Sequence, residues 1–411
     1  MKLLFHKVSV KKMLLLAIVF SVLSYLVVFF PLLNRNVLLY SGTDSIRLHY
    51  PSRIYLSQKF QQGNFPFWTE RLFLGFPIYG DLERQYLNPM NLLLVFVFGP
   101  FTSYKLLHFL CYLMGSIAFY LFLKKFKVPL LGFFAANSIY FFTLFSLYHQ
   151  QHFNLTLTFY LFPLMLYLTK LYIDSPKLKY ILFLALTYGF CFTLGYLQVL
   201  MLCMIAQAIF YFSYNGSYGK KSVVNALKYF CNLYLITLIL ILPALFSLFN
   251  LFSSSERLGS DIFLEGSFSP LFIFNFLFPY LLNYGDAFLG AVISREHFMH
   301  EIYVYFGVSS LLFSIVSFLK IKDAKTKNFV KTLFWLSILL VFIKYIPVLN
   351  KLPLFPFSLF RYWGRASMLL VFLGSFLSAL FIRDLGKMQK FKLKDFKVFI
   401  PFFIFVALIS F

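Results

Sequence analysis

The sequence predicts an all-α polytopic membrane protein, and three observations carry that expectation. Of 411 residues, 61% are hydrophobic and only 12% are charged, against roughly 45–50% apolar and 25% charged in soluble domains. Apolar runs recur from the N-terminus to the last residue, each near the roughly 20 residues that cross a hydrocarbon layer about 30 Å thick. The remaining charges gather between those runs. A formal charge of +23 would point a soluble chain towards nucleic acid, but this placement makes it a topology signal, and no nucleic-acid partner is expected. The four cysteines (Cys111, Cys191, Cys203, Cys231) fall inside apolar runs without CxxC spacing, so neither a disulfide framework nor a metal knuckle is indicated.

Residues 1–12 carry Lys2, Lys7, Lys11 and Lys12 ahead of a 21-residue apolar run, 13–33. That run is longer than a signal-peptide core and lacks an A-x-A site, so it reads as a retained first helix. Further spans are expected at 104–123, 128–148, 153–172, 180–194, 197–213, 229–250, 303–319, 329–349 and 366–382. An eleventh begins at 398, giving a bundle of 10–11 transmembrane helices. The apolar stretch 180–213 is too long for one ordinary helix, and Gly195-Tyr196 suits a tight turn in its middle. Two apolar pieces, 90–98 and 271–282, are too short to span and have Pro beside or within them, so they read as interfacial or re-entrant.

With the N-terminus inside, the cytoplasmic connections hold 24 of the 37 Lys and Arg residues, in keeping with the positive-inside rule. The two faces differ in the kind of cation. Nine of the ten arginines (Arg35, Arg47, Arg53, Arg71, Arg84, Arg257, Arg295, Arg361, Arg365) and ten of the fourteen carboxylates fall outside. A topology signal needs only charge, which Lys supplies, whereas a planar five-donor guanidinium grips phosphate or carboxylate bidentately. Polar chemistry is therefore expected at the extracytoplasmic face, in the loops 34–103, 251–302 and 350–365. Residues 1–411 read as a single transmembrane domain.

The first loop is about 70 residues long, and loops of that length are usually functional or disordered. The segment 40–63 sets Ile46, Tyr50, Ile54, Leu56 and Phe60 on a roughly helical period, with Asp44 at its start and Gly63 as a stop. It predicts an amphipathic helix on the membrane surface. Pro66, Pro77 and Pro89 with Gly63, Gly75 and Gly80 then set an irregular but specific path.

Asp44, GNFPFW (63–68), GFP (75–77) and LNPMNLL (87–93) follow one another in this loop. GYLQ (195–198), SSSERLGS (253–260), FLFP (276–279), EIYVYFG (301–307) and LFPFSLFRYWGRAS (354–367) follow in order. Together they make the chain resemble the bacterial YfhO-like membrane glycosyltransferases of the GT-C superfold. Members of that family usually continue through further helices and an outer domain, so by this resemblance the C-terminus is incomplete. The resemblance implies a GT-C-like bundle that transfers a sugar from a polyprenyl-phosphate carrier to a glycan or lipid acceptor.

Such a reaction needs a carboxylate to orient or deprotonate the acceptor hydroxyl and cations to hold the departing phosphate. Asp44 matches the family's first-loop acid, with a helix N-cap as its ordinary alternative. Asp81 is the second acid and Glu83 sits beside it. A divalent cation, Mg or Mn, between Asp44 and Asp81 is chemically sensible but demanded by no spacing. Arg361 and Arg365 flank Trp363 at a helix start, suited to a lipid-linked phosphate or to anchoring at the interface. Arg257 follows Ser253–Ser255, and Gln198 stands at a helix end where its amide can meet a sugar hydroxyl or a neighbouring helix. The HQQHFN segment (149–154) has two His at i and i+3, which reads as the polar closure of a helical hairpin rather than a metal site. A lipid or polysaccharide transporter is the competing class, but it is expected to show intramembrane charges and two related halves. A polymerase or ligase using the same carrier lipids would share the outer arginines without needing Asp44.

Overall fold

A computed structural model describes residues 9–30, 44–72, 74–215, 220–253, 267–270, 275–277, 304–346 and 360–386. Arg257, the expected helix at 398 and most of the 251–302 loop lie outside the described residues. The described chain is helical: α1 (Val10–Val28), α2 (Tyr50–Gln61), α3 (Pro89–Lys125), α4 (Leu130–Phe141), α5 (Leu144–Tyr148) and α6 (Phe153–Asp174) come first. They are followed by α7 (Leu178–Leu194), α8 (Leu197–Asn215), α9 (Lys220–Ser253), α10 (Val308–Lys320), α11 (Ala324–Val341) and α12 (Ser367–Leu385). The one β feature among the described residues is an isolated bridge between Thr69 and Phe76.

A helix stands at each of the ten span positions expected before residue 398. Among the described residues, six helices are long and apolar enough to cross a membrane: Val10–Val28, Pro89–Lys125, Phe153–Asp174, Leu197–Asn215, Val223–Leu251 and Trp363–Leu385. A bent pair, Leu130–Phe141 with Leu144–Gln151, makes a seventh if it counts as one span, while Leu178–Leu194 and Val308–Lys320 are apolar but shorter. Gly99 breaks α3 at φ 74° and ψ 179°, with Pro100 next. The short apolar piece 90–98 is thereby set apart from the span that follows it, because Gly alone adopts that backbone readily and Pro supplies no N–H to continue the ladder.

The bundle closes around α3, α6 and α12, and α12 is buried along nearly its whole length. Small residues let the backbones approach. A Cβ on Gly115 would meet the Tyr160 carbonyl oxygen at 1.9 Å, so α3 and α6 cross at a point only Gly fits. Ser314 Oγ donates to the Gly374 carbonyl at 2.9 Å and Ser378 Oγ to the Ser310 carbonyl at 3.1 Å, joining α10 to α12. Hydroxyls that bond across helices without a buried charge are the usual means of association in lipid. By contrast, α1 fully buries only Ala17, Ser21 and Tyr25, a stripe at i, i+4 and i+8 that Met13, Leu14 and Phe20 flank in partial burial, and leaves Leu15, Val19, Leu23 and Val27 exposed.

The two ends of the bundle differ chemically. At one end Lys125 pairs with Asp174 at 3.1 Å, and Lys170 pairs with the same carboxylate. There too Arg383 Nη1 donates to the Phe126 carbonyl at 3.1 Å, and Lys325 Nζ to the Tyr214 carbonyl at 3.1 Å. The other end gathers the 44–88 segment, the turn before α6, the α7–α8 turn and the start of α12.

Candidate functional site

The site begins where α2 does. Residues Ser45–His49 form a turn of wide π geometry running into α2, with the Tyr50 N–H donating to the Ser45 carbonyl; single π turns of this kind recur at functional sites. Asp44 precedes it in helical conformation and makes no side-chain cap bond, so the N-cap role open to it in the sequence is not the one it plays. Its Oδ2 lies 3.4 Å from His152 Nε2, and the carboxylate keeps 46% of its surface exposed.

The helix presents an unexpected face to the protein. The apolar period predicts that Ile46, Tyr50, Ile54, Leu56 and Phe60 meet the membrane surface, and Ile46 is indeed exposed. Packed inward, however, are Ser45, His49, Ser52 and Arg53 alongside Tyr50 and Leu56. Arg53 is the centre of this buried polar face. Its guanidinium stands beside the stacked Tyr104 and Phe153 rings, 4.8 Å from the first centroid and 4.9 Å from the second. Nη2 donates to Gln85 Oε1 at 2.5 Å and Nη1 to the His49 carbonyl at 3.3 Å. Burial lowers Arg53 from its ordinary value to about 10, so the cation persists at neutral pH, held by an amide, a carbonyl and two aromatic rings. No carboxylate pairs with it among the described residues. Burial, reinforced by the Arg53 and Arg84 charges, lowers His49 to about 3, which keeps that imidazole neutral.

The second acidic cluster docks beside this face. Asp81 Oδ1 accepts the Glu83 N–H at 3.2 Å and Oδ2 pairs with Arg84 Nε at 2.9 Å. Arg84 Nη1 donates to Ser52 Oγ at 3.1 Å, tying the turn to α2. Glu83 is exposed at the rim, and its carbonyl accepts from Asn154 Nδ2 at 2.9 Å. Gln85 completes a relay, since its Nε2 donates to Asn154 Oδ1 while its Oε1 holds Arg53. Gly195 receives the turn: at φ 93° it closes α7, and a Cβ there would lie 2.4 Å from the Leu82 carbonyl carbon and oxygen.

From His152 the site runs towards the last described helix. The His152 and Tyr196 rings have centroids 6.5 Å apart, and the Arg365 guanidinium stands over Tyr196 at 5.2 Å. Arg361 and Arg365 each lie 4.8 Å from the Tyr362 ring. Gln198 is buried and donates from Nε2 to the Arg361 carbonyl at 2.8 Å, so its amide positions the arginine-bearing segment. Trp363 is fully buried and Arg365 nearly so, which does not suit the alternative of a Trp and Arg anchor at the lipid interface.

Of the residues singled out by sequence, Asp44, Asp81, Glu83, Gln198, Arg361 and Arg365 thus fall at one end of the bundle. Asp44 and Asp81 have different partners, His152 and Arg84. Among the described residues no group of three or more His, Cys, Asp or Glu side chains is arranged to hold a metal ion. Sequence reasoning passed over His152, which it assigned to hairpin closure, and Arg53, Gln85, Asn154 and Tyr196. The i, i+4 pair His49 and Arg53 inside an otherwise apolar period was the available signal.

Fold and site together define a multi-pass helical membrane protein with a polar cluster of acids, an imidazole paired with Asp44 and several arginines at one end. No family model, curated protein or solved structure matches the chain.

Proposed function

We propose that the chain is a membrane glycosyltransferase of the YfhO-like, GT-C type that moves a sugar from a polyprenyl-phosphate carrier to a cell-envelope glycan or lipid. In this reading the N-terminus is cytoplasmic, the 10–11 helices span the cell membrane and the polar end faces outward. The single observation that carries the proposal is the meeting of Asp44 and His152 at 3.4 Å, with Arg365 reached through Tyr196 and Arg361 sharing the Tyr362 ring with it. The acceptor hydroxyl attacks the anomeric carbon as the bond from that carbon to the carrier phosphate breaks. Asp44 orients the hydroxyl and takes its proton, His152 holds the carboxylate in place, and Arg361 with Arg365 neutralises the departing phosphate.

The test is sugar transfer in membranes supplied with polyprenyl-phosphate sugar, with variants matched for expression. Asp44→Asn keeps the size of the side chain and removes its charge, so transfer is expected to fall by a factor on the order of 10² to 10⁴. His152→Gln is expected to fall less and to change the pH profile of what remains. Near wild-type transfer by Asp44→Asn would remove this mechanism and return the molecule to the transport or polymerisation reading.

A further inference from the structure

A second polar site lies at the far end of α2. From Asp44 to Gln58 the helix rises by about 20 Å at 1.5 Å per residue, so this place is separate from the acid and arginine cluster. There α2 and the 64–77 segment enclose a cleft of about 270 Å³, near the low end for small-molecule pockets. Its walls are built rather than loose. Tyr55 Oη donates to the Trp68 carbonyl at 3.1 Å. Thr69 and Phe76 exchange backbone bonds of 3.0 and 2.9 Å. Lys59 Nζ and Arg71 Cζ each stand 5.5 Å from the Tyr55 ring. Two like charges share one ring, and Glu70 is the single acid lining the cleft, which leaves it net positive.

The other lining groups specify what the charge would meet. Gln58 in the last turn of α2 and Gln62 at its C-cap both line the cleft. Among the described residues their amides make no side-chain hydrogen bond, so each offers a donor and an acceptor, the pairing that adjacent sugar hydroxyls require. Trp68 adds a flat surface. Its ring is backed by Gly75, where a Cβ would lie 2.6 Å from Cζ2, and 55% of the residue stays exposed. A lipid would need an apolar groove continuing from the headgroup, and this cleft is lined by amide, hydroxyl and charged groups apart from its two aromatic rings.

We infer that this cleft binds an acidic saccharide, a sugar ring carrying a carboxylate, with Lys59 and Arg71 on the carboxylate, Gln58 and Gln62 on hydroxyls and Trp68 under the ring. Its readout is binding alone, so it stands or falls separately from sugar transfer. The experiment is calorimetric titration of the purified full chain in phosphatidylcholine nanodiscs with an oligoglucuronate, its neutral glucose counterpart, inorganic phosphate and phosphatidylglycerol vesicles. Saturable oligoglucuronate binding is expected. It should weaken at least about tenfold in Lys59→Gln with Arg71→Gln, and by a similar factor in Trp68→Ala, as the loss of charge-assisted bonds or of a stacking surface implies. Glu70→Gln removes the opposing charge and should tighten binding, a gain that misfolding cannot produce. Equal affinity for the neutral oligosaccharide, undiminished binding by the double variant, or stronger binding of phosphate or vesicles than of the oligoglucuronate would each overturn the inference.

Discussion

Gly195→Ala tests whether the acidic turn is held in place by the α7–α8 turn. The new Cβ would sit 2.4 Å from the Leu82 carbonyl carbon and oxygen and 2.6 Å from the Glu83 nitrogen. Carbon contacts are optimal near 3.5–4.0 Å, so the 82–84 turn must retreat by about 1 Å. The left-handed backbone at φ 93° adds about 1–2 kcal/mol for a residue with a Cβ. Retreat also pulls the Glu83 carbonyl from Asn154 Nδ2, now at 2.9 Å, and strains the Gln85 to Asn154 bond. Asn154 is buried, and a buried amide left unsatisfied costs about 1–3 kcal/mol. The expected loss is therefore about 2–5 kcal/mol in total. Gly63→Ala provides the control, because Gly63 has φ 69° and nothing within 4 Å of its would-be Cβ; it should lose only the conformational part, about 1–2 kcal/mol. Thermal unfolding in detergent and limited proteolysis of the 79–87 segment read both. Equal losses in the two variants, or unchanged protease resistance in Gly195→Ala, would refute the docking argument.

Three further outcomes are expected. His49 has its proton affinity lowered from the ordinary 6.5 to about 3 by burial and by Arg53 and Arg84. Between those values the unfolded chain binds a proton that the native chain does not, so stability falls on acidification by about 1.4 kcal/mol per pH unit. His49→Gln should make the acid-side fall of the unfolding midpoint between pH 6.5 and 4.5 shallower, and an unchanged slope would assign it to other groups. Arg365→Lys and Arg361→Lys keep charge but lose the planar fork, and donor dependence of transfer should weaken by about tenfold, as loss of one charge-assisted bond implies; unchanged donor dependence in both would remove phosphate binding from the arginines. For orientation, Gln62→Cys should react with a membrane-impermeant thiol reagent in intact cells, and labelling only after lysis would reverse the orientation.

Composition and run length by themselves determined the all-helical, apolar architecture, because a chain in lipid must satisfy its backbone within each segment. They also located the break at Gly195 and the separate piece 90–98, since Gly and Pro act on the backbone locally. The carboxylates and arginines at one end were legible from the different placement of Arg and Lys. The sequence could not say which groups would meet. Asp44 finds His152 and Asp81 finds Arg84, pairings made by elements 108 and 3 residues apart, of which only the second is local. Nor could periodicity show that α2 turns Ser45, His49, Ser52 and Arg53 inward, because a helical wheel ranks faces by hydropathy. The tertiary structure overrides that ranking, burying polar residues beside Tyr50 and Leu56 by offering Tyr104, Phe153 and Gln85 to one guanidinium. A polar face is buried where its partners are supplied from α3, the start of α6 and the 82–88 segment, and that supply is a property of the assembled bundle.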